Sequence, residues 1–144
     1  MIKIIAVGQL KEQYLKDLCN DYLKRINKYH KIMLVEVKDE NLLKEKESIL
    51  KKLSNNEYII ALDIMGTKLD SFELAKRIDN LFFEKSNITF IIGGSDGLHD
   101  DIKKMAHFRI SFSDLTFPHG LFRGIVLEQI YRSFKINNNE KYHK

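Results

Sequence analysis

The sequence predicts an α/β domain built on a mainly parallel sheet that is flanked by helices. Short runs of β-branched and aromatic residues alternate with longer segments in which apolar residues recur every three or four positions. This alternation is typical of strand–helix–strand units, whose strands pair in parallel. The length of 144 residues corresponds to about one domain. We therefore predict a single domain over residues 1–144.

Each predicted element follows from its own pattern of apolar residues. The predicted strands, in chain order, are 2–7, 32–37, 58–63, 88–92 and 108–112. The third and fourth are almost continuously apolar, as expected for strands covered on both faces. The predicted helices are 14–29, 41–54, a helix capped by Asp70 or Ser71, a short helix ending at Ala106, and a helix over about 121–136. The third of these helices is expected to bury Phe72 and Phe82.

The composition excludes several classes of protein. A single cysteine, Cys19, excludes an internal disulfide framework and a multi-cysteine metal site. No apolar run approaches the roughly 18–20 residues that span a bilayer, and the N-terminus lacks the pattern of a signal peptide. We expect a cytoplasmic protein with no membrane partner and no metal. The absence of H-E-x-x-H, G-x-S-x-G and C-x-x-C removes the main support for zinc hydrolases, α/β-hydrolases and thioredoxins.

The charge balance favours a nucleic-acid partner only mildly. Lys and Arg number 24 against 20 Asp and Glu, a net charge of +4, which is also common among soluble enzymes. Among the cations, Arg123 and Arg132 are of most interest, because a planar guanidinium binds phosphates and base edges better than an ammonium does.

Three predicted loops follow strand ends, where open α/β sheets bind their ligands. In the first, 62–67, Asp63 either faces a ligand or forms an Asx turn with nearby backbone amides. In the second, 93–98, three glycines let a ligand approach the backbone or simply make a tight connection. This second loop is neither a P-loop nor a G-x-G-x-x-G motif.

The third loop, 113–120, and the C-terminal tail are the remaining candidates. Pro118, the only proline, fixes the loop so that its backbone groups could read an adenine edge. The neighbouring His119 is either a hydrogen-bonded structural residue or a functional one. The tail Lys141–Lys144 is either a frayed end or an aromatic and basic group that stacks on a base and holds phosphate.

Taken together and in this order, six segments resemble the ribosomal RNA large-subunit methyltransferase H family, pseudouridine N3-methyltransferases of the SPOUT class. The segments are Ala6–Gly8, Leu62–Gly66, Phe90–Leu98, Leu115–His119, Glu128–Arg132 and Tyr142–His143. The resemblance covers essentially the whole chain. It implies a C-terminal deep trefoil knot, a homodimer, S-adenosylmethionine as cofactor, and a pseudouridine in a 23S rRNA stem-loop of the assembled ribosome as substrate.

The resemblance also implies the residues of the site. The cofactor contacts carry over to Leu62, Gly93, Gly94, Asp114, Leu115, Thr116, Phe117, Pro118 and His119, mostly through backbone groups. The tail of one subunit is implied to complete the site of the other. We hypothesise that His143 takes or relays the N3 proton, Tyr142 stacks on or aligns the base, and Arg123 and Arg132 hold RNA phosphate or base carbonyls.

The sequence departs from the family at three positions, and two other functions remain open. Ser95, Gly120 and Lys141 stand where many members have proline, and the last substitution is expected to loosen the tail. One alternative function is a SPOUT methyltransferase that acts on another RNA. The other is a noncatalytic α/β module that binds RNA or a nucleotide.

Overall fold

The computed structural model describes residues 1–85 and 87–143, and strands alternate with helices throughout them. The strands are β1 (Ile2–Val7), β2 (Ile32–Val37), β3 (Tyr58–Lys68), β4 (Ile88–Ile92) and β5 (Phe108–Ser111). The helices are α1 (Gln13–Asn27), α2 (Leu42–Lys51), α3 (Ser71–Glu84), α4 (Asp100–Met105) and α5 (His119–Asn137). Strands β1, β2 and β4 have the predicted bounds.

The five strands form one sheet in the order β2-β1-β4-β3-β5, and every pairing is parallel. Helices α1, α3 and α5 cover one face and α2 and α4 cover the other. The predicted α/β architecture with a parallel sheet and flanking helices is confirmed. Because all strands run the same way, the segments that follow them lie along one edge of the sheet.

Two apolar clusters hold the three layers together, one on each face of the sheet. Successive side chains of a strand point to opposite faces, so Ile4 and Ala6 of β1 join one cluster while Ile5 and Val7 join the other. Phe90 of β4 has no exposed surface. This two-sided burial explains why the central strands are continuously apolar in sequence.

Helices α2 and α3 begin where their capping residues stand. The Asp70 carboxylate accepts a hydrogen bond from the Glu73 backbone N–H at 2.8 Å, and the Glu73 side chain accepts from the Asp70 N–H at 2.9 Å. This reciprocal pair is a capping box, which confirms Asp70 as the start signal of α3. Asn41 caps α2 by accepting from the Lys44 N–H at 2.9 Å.

Several predicted boundaries are wrong. Strand β3 continues to Lys68 instead of ending at residue 63, and its pairing with β5 shifts register between Leu62 and Thr67. The segment predicted as a loop is therefore an irregular, bulged extension of the strand. Helix α5 begins at His119, two residues before the predicted start. Phe72 is 59% exposed because it lies in the first turn of α3, outside the core.

Helix α5 follows the edge strand β5 and packs across the face of the sheet that α1 and α3 also cover. Its aromatic side chains pack on both other helices of that face: Tyr131 lies 5.9 Å from the Tyr22 ring of α1, and Phe134 lies 6.2 Å from the Phe82 ring of α3. This path is compatible with a C-terminal trefoil knot, which stays a prediction. None of the helices described here is both long and apolar enough to cross a membrane.

Candidate functional site

The irregular part of β3 and the loops after β4 and β5 converge on a cavity of about 270 Å³, which we call the loop cavity. Most of the residues predicted to bind a cofactor line it: Leu62, Gly93, Gly94, Leu115, Thr116, Phe117 and His119. Two others do not. Pro118 lines an adjacent, larger cavity, and the exposed Asp114 carboxylate forms an ion pair with Lys68.

The walls of the loop cavity are mainly apolar and aromatic. Phe117 and Phe122 stack with their ring centroids 6.0 Å apart, and Phe112 meets Phe122 edge to face at 5.6 Å. Leu62 and Ile92 complete the apolar lining. Flat apolar walls with backbone groups between them suit the ring of a nucleobase.

The glycine loop after β4 is tight in one part and open in another. A Cβ at Gly93 would lie 2.4 Å from the Gly97 carbonyl oxygen, and Gly97 has a φ of +75°, so both glycines are needed for the turn itself. A Cβ at Gly94 would meet only side chains, 3.0 Å from Val7 Cγ1 and 3.8 Å from Asp39 Oδ1. Gly94 therefore keeps the space between the two cavities clear.

His119 and Asp63 both have structural partners. His119 Nε2 lies 3.1 Å from Ser95 Oγ, a hydrogen bond that ties the start of α5 to the glycine loop. Asp63 Oδ1 accepts from the Met65 N–H at 3.1 Å, and Oδ2 accepts from Arg109 at 3.2 Å. Asp63 therefore forms the predicted Asx turn and also lines the loop cavity.

The larger cavity, of about 770 Å³, lies beside the loop cavity and shares Gly94 and His119 with it. Its other walls come from the ends of β1 and β2, from the first turns of α1 and α5, and from the segments after β1 and β2. We did not predict the segments after β1 and β2 as part of the site. The rule that ligands bind at the carboxyl ends of strands also applied to these two segments. A further signal in the sequence is Gly8 itself, because a glycine directly after a predicted strand indicates a turn. In the structure Gly8 has a φ of +95°.

Arg123 is built into the wall of this larger cavity. Its side chain is 3% exposed, and its guanidinium donates to Glu36 at 2.5 Å and to the Gly8 carbonyl at 3.1 Å. Its Nε–H has no acceptor among the described residues. The arginine thus joins α5 to the ends of β1 and β2.

The other three predicted catalytic residues lie together at the far part of α5. Tyr142 Oη donates to Glu128 at 2.8 Å, and the guanidinium of Arg132 lies 4.7 Å from the Tyr142 ring centre. Burial, together with hydrogen bonds to Tyr22 and Glu128, raises the pKa of Tyr142. Lys144, the last residue of the predicted tail motif, lies outside the described residues.

Arg132 also determines which nitrogen of His143 can accept a proton. Arg132 Nη1 lies 2.9 Å from His143 Nδ1. Because a guanidinium only donates hydrogen bonds, Nδ1 must be the acceptor, and the proton of the neutral ring is on Nε2. His143 therefore has its one basic nitrogen engaged by Arg132.

Comparison with known families identifies the fold class of this arrangement. The family described as "Predicted SPOUT methyltransferase" matches residues 1–143. The chain belongs to the SPOUT methyltransferase family. Ribosomal RNA large subunit methyltransferase H of Caldicellulosiruptor saccharolyticus is 47% identical over 154 residues and covers 100% of both chains. The protein of the same name from Acetivibrio thermocellus is 44% identical over 157 residues and covers 99% of both.

Solved structures share the fold of this SPOUT methyltransferase at low sequence identity. A probable methylase family protein of Haemophilus influenzae matches 99% of this chain and 70% of its own, with a TM-score of 0.62 and 11% identity. The SpoU methyltransferase AviRb of Streptomyces viridochromogenes matches 98% of this chain and 62% of its own, with a TM-score of 0.50 and 9% identity.

In this SPOUT methyltransferase the tail and the loop cavity are separate within one chain. No tail residue in the described part of the chain lines either cavity. The tail contacts α5 at Glu128 and Arg132, which are about 13 and 20 Å along the helix from His119 at roughly 1.5 Å per residue. Arg123 is near the cavities, whereas Arg132, Tyr142 and His143 are not. Among the described residues, no group of His, Cys, Asp or Glu could hold a metal ion.

Proposed function

We propose that this chain uses S-adenosylmethionine to methylate N3 of a pseudouridine in a 23S rRNA stem-loop on the assembled ribosome. The observation that carries this proposal is the convergence of the irregular part of β3 and the loops after β4 and β5 on one cavity in a SPOUT methyltransferase. Support for an rRNA substrate comes from the full-length relatives named ribosomal RNA large subunit methyltransferase H.

The residues of the loop cavity fit the nucleoside part of this cofactor. Leu62, Ile92 and Phe117 provide apolar surface for an adenine ring. The backbone between Leu115 and His119 offers N–H and C=O groups that can pair with the ring edge, and Pro118 restricts their conformation. Gly94 lines both cavities, and a Cβ there would lie only 3.0 Å from Val7 Cγ1.

The chain contributes mainly by orienting the reacting atoms. When bound, S-adenosylmethionine supplies a methyl group on a sulfonium, which requires a nucleophile in line with the S–CH₃ bond. Rigid loops around the cavity would keep a bound cofactor in the orientation that this in-line reaction requires. Such positioning contributes several kcal/mol to catalysis. The target N3 carries a proton and becomes a good nucleophile only when that proton is removed or its negative charge is stabilised.

In the proposed mechanism His143 takes or relays this proton, and Tyr142 stacks on or aligns the base. To act as the base, His143 must exchange its contact with Arg132 for the substrate, because Nδ1 is the nitrogen that can accept. Arg132 keeps its ion pair with Glu128 at 2.9 Å, and the N–H released by His143 turns to a phosphate or a base carbonyl. The same role for Arg123 would require its guanidinium to leave Glu36 and the Gly8 carbonyl, so we propose for Arg123 a role in shaping the wall of the larger cavity.

A homodimer would bring the tail and the loop cavity together. The distance along α5 separates them in one chain, whereas a two-fold dimer lets each tail reach the other subunit's cavity. Dimerisation also doubles the net charge of +4, which is small for binding phosphates. We propose that the assembled ribosome supplies the remaining affinity, so that isolated RNA fragments are methylated more slowly than whole ribosomes.

The test is transfer of a labelled methyl group from S-adenosylmethionine to purified ribosomes by the wild type and by tail variants. His143→Ala and Tyr142→Phe should lose most of the activity but retain cofactor binding, because neither residue lines a cavity of its own chain. Lys141→Ala is the control within the same exposed tail.

Two results would contradict the proposal in different ways. Normal methylation by both tail variants would exclude the tail from the mechanism. Label incorporated faster into another RNA fraction than into ribosomes would favour a SPOUT methyltransferase with a different substrate.

A further inference from the structure

The larger cavity adjoins the loop cavity. Both cavities include Gly94 and His119 in their walls. The loop cavity, at about 270 Å³, lies just below the usual range of about 300–1,000 Å³ for ligand sites. A ligand larger than a nucleoside therefore extends beyond the loop cavity, and the larger cavity is the adjoining space on the Gly94 side.

The charges of the larger cavity are balanced. Its cations are Lys11, Lys38 and Arg123, and its carboxylates are Glu12, Glu36 and Asp39. Arg123 and Glu36 neutralise each other at 2.5 Å. A groove that binds the RNA backbone needs an excess of cations. Balanced charges instead suit a zwitterion, whose ammonium and carboxylate groups each need a partner of opposite sign.

Asp39 is the carboxylate placed at the junction of the two cavities. Its Oδ1 lies 3.8 Å from the position that a Cβ of Gly94 would occupy. It stands in the segment after β2, and its side chain is exposed to the cavity. A group that passes Gly94 from the loop cavity would therefore meet the Asp39 carboxylate first.

Glu45 is a buried carboxylate close to Asp39. Glu45 is 5% exposed, and its carboxylate accepts from the Glu40 N–H at 2.8 Å, which closes the segment after β2. Burial raises the pKa of Glu45, the Glu40 N–H partly offsets this effect, and a hydrogen bond with Asp39 adds to it. Glu45 thus lies close enough to Asp39 to interact with it, and through the Glu40 N–H it anchors the segment that carries Asp39.

We propose that the larger cavity is the amino-acid subsite of the cofactor site, in which Asp39 binds the α-ammonium group of S-adenosylmethionine. This inference rests on the proposed function. In this arrangement Lys11 and Lys38 are the cations available to the α-carboxylate. Asp39 is a binding residue. By holding the amino-acid part of S-adenosylmethionine, it would orient the sulfonium group.

The test is calorimetric binding of two ligands that differ only in their amino-acid part. S-adenosylhomocysteine keeps that part, whereas 5′-methylthioadenosine has the nucleoside and sulfur without it. Asp39→Asn should weaken S-adenosylhomocysteine binding by about 10-fold or more, since a charge-assisted hydrogen bond is lost. Binding of 5′-methylthioadenosine should stay within about twofold of the wild type.

Glu47→Gln is the matched control, because Glu47 is an exposed carboxylate that lines neither cavity. It should leave the binding of both ligands unchanged. A thermal melt of each variant checks that the fold is intact, which is expected because Asp39 is exposed.

Several outcomes would overturn the inference. Asp39→Asn binding both ligands as the wild type does would refute the role of Asp39 while leaving the proposed function intact. An equal loss for both ligands, or the same selective loss in Glu47→Gln, would also refute it. Unchanged cofactor binding with slower ribosome methylation would assign the cavity to RNA. A wild type that binds neither ligand would overturn the proposed function as well.

Discussion

Replacing Glu57 by glutamine should make the protein less stable at neutral pH and change its response to acid. The Glu57 side chain is 4% exposed and lies 2.8 Å from the Lys3 ammonium. Burial disfavours its ionised form, but hydrogen bonds from Lys3, Thr89 and Ser54 outweigh burial and lower its pKa to about 2 from an ordinary value of 4.5. This carboxylate ties β1 and β4 to the segment that enters β3.

The size of the effect follows from that pKa. At about 1.36 kcal/mol per pH unit, the difference between 4.5 and about 2 corresponds to about 3 kcal/mol of unfolding free energy. Because the pKa is lower in the folded state, this stabilisation is complete above about pH 4.5 and is lost as the pH falls through about 2.

The assay is urea unfolding followed by circular dichroism between about pH 7 and about pH 2. The unfolding free energy of the wild type should exceed that of Glu57→Gln by up to about 3 kcal/mol at neutral pH. This difference should shrink towards zero near pH 2. Glu47→Gln, a change at an exposed carboxylate of α2, is the control and should give a small constant difference. A Glu57→Gln difference that does not vary with pH would refute the reasoning.

Three further substitutions test the local structure. Gly93→Ala should destabilise the protein by about 1–3 kcal/mol or prevent folding, because its Cβ would lie 2.4 Å from the Gly97 carbonyl; a melting temperature equal to that of the wild type would exclude this clash. Asp70→Ala should cost about 1 kcal/mol through loss of the α3 cap, measured by urea unfolding, and no loss would mean that the capping box is not formed. Ser95→Ala should weaken S-adenosylhomocysteine binding a few-fold, by about 1 kcal/mol or less, since the bond to His119 no longer joins the two loops; tighter binding on calorimetry would show that this bond opposes the ligand.

The parts of the fold that sequence patterns predicted are those with local causes. Residues 88–92 are apolar except for Thr89 and become the fully buried strand β4. Asp70 with Glu73 marks the start of α3 because the cap involves only neighbouring residues. The extension of β3 through the exposed Met65 had no such signal, because it depends on a bulged pairing with β5, which is distant in sequence.

The site residues also fall into two groups, those that the sequence indicated and those that only the fold brings together. The glycine loop and the loop of Pro118 were recognisable from residue types and from their positions after strands. The segments after β1 and β2 carry residues such as Asp39 that form no recognisable motif, and the sheet order places them beside Gly94. The contact of Arg132 with His143 was also invisible in sequence, since it depends on the tail folding back along α5.

The most direct test of the central claim is mass spectrometry of rRNA nucleosides from a strain that lacks this protein. The account predicts that 3-methylpseudouridine disappears from the 23S rRNA and returns when the wild-type chain is expressed again. It also predicts that the His143→Ala chain fails to restore it. An unchanged level of 3-methylpseudouridine in the deletion strain would contradict the account.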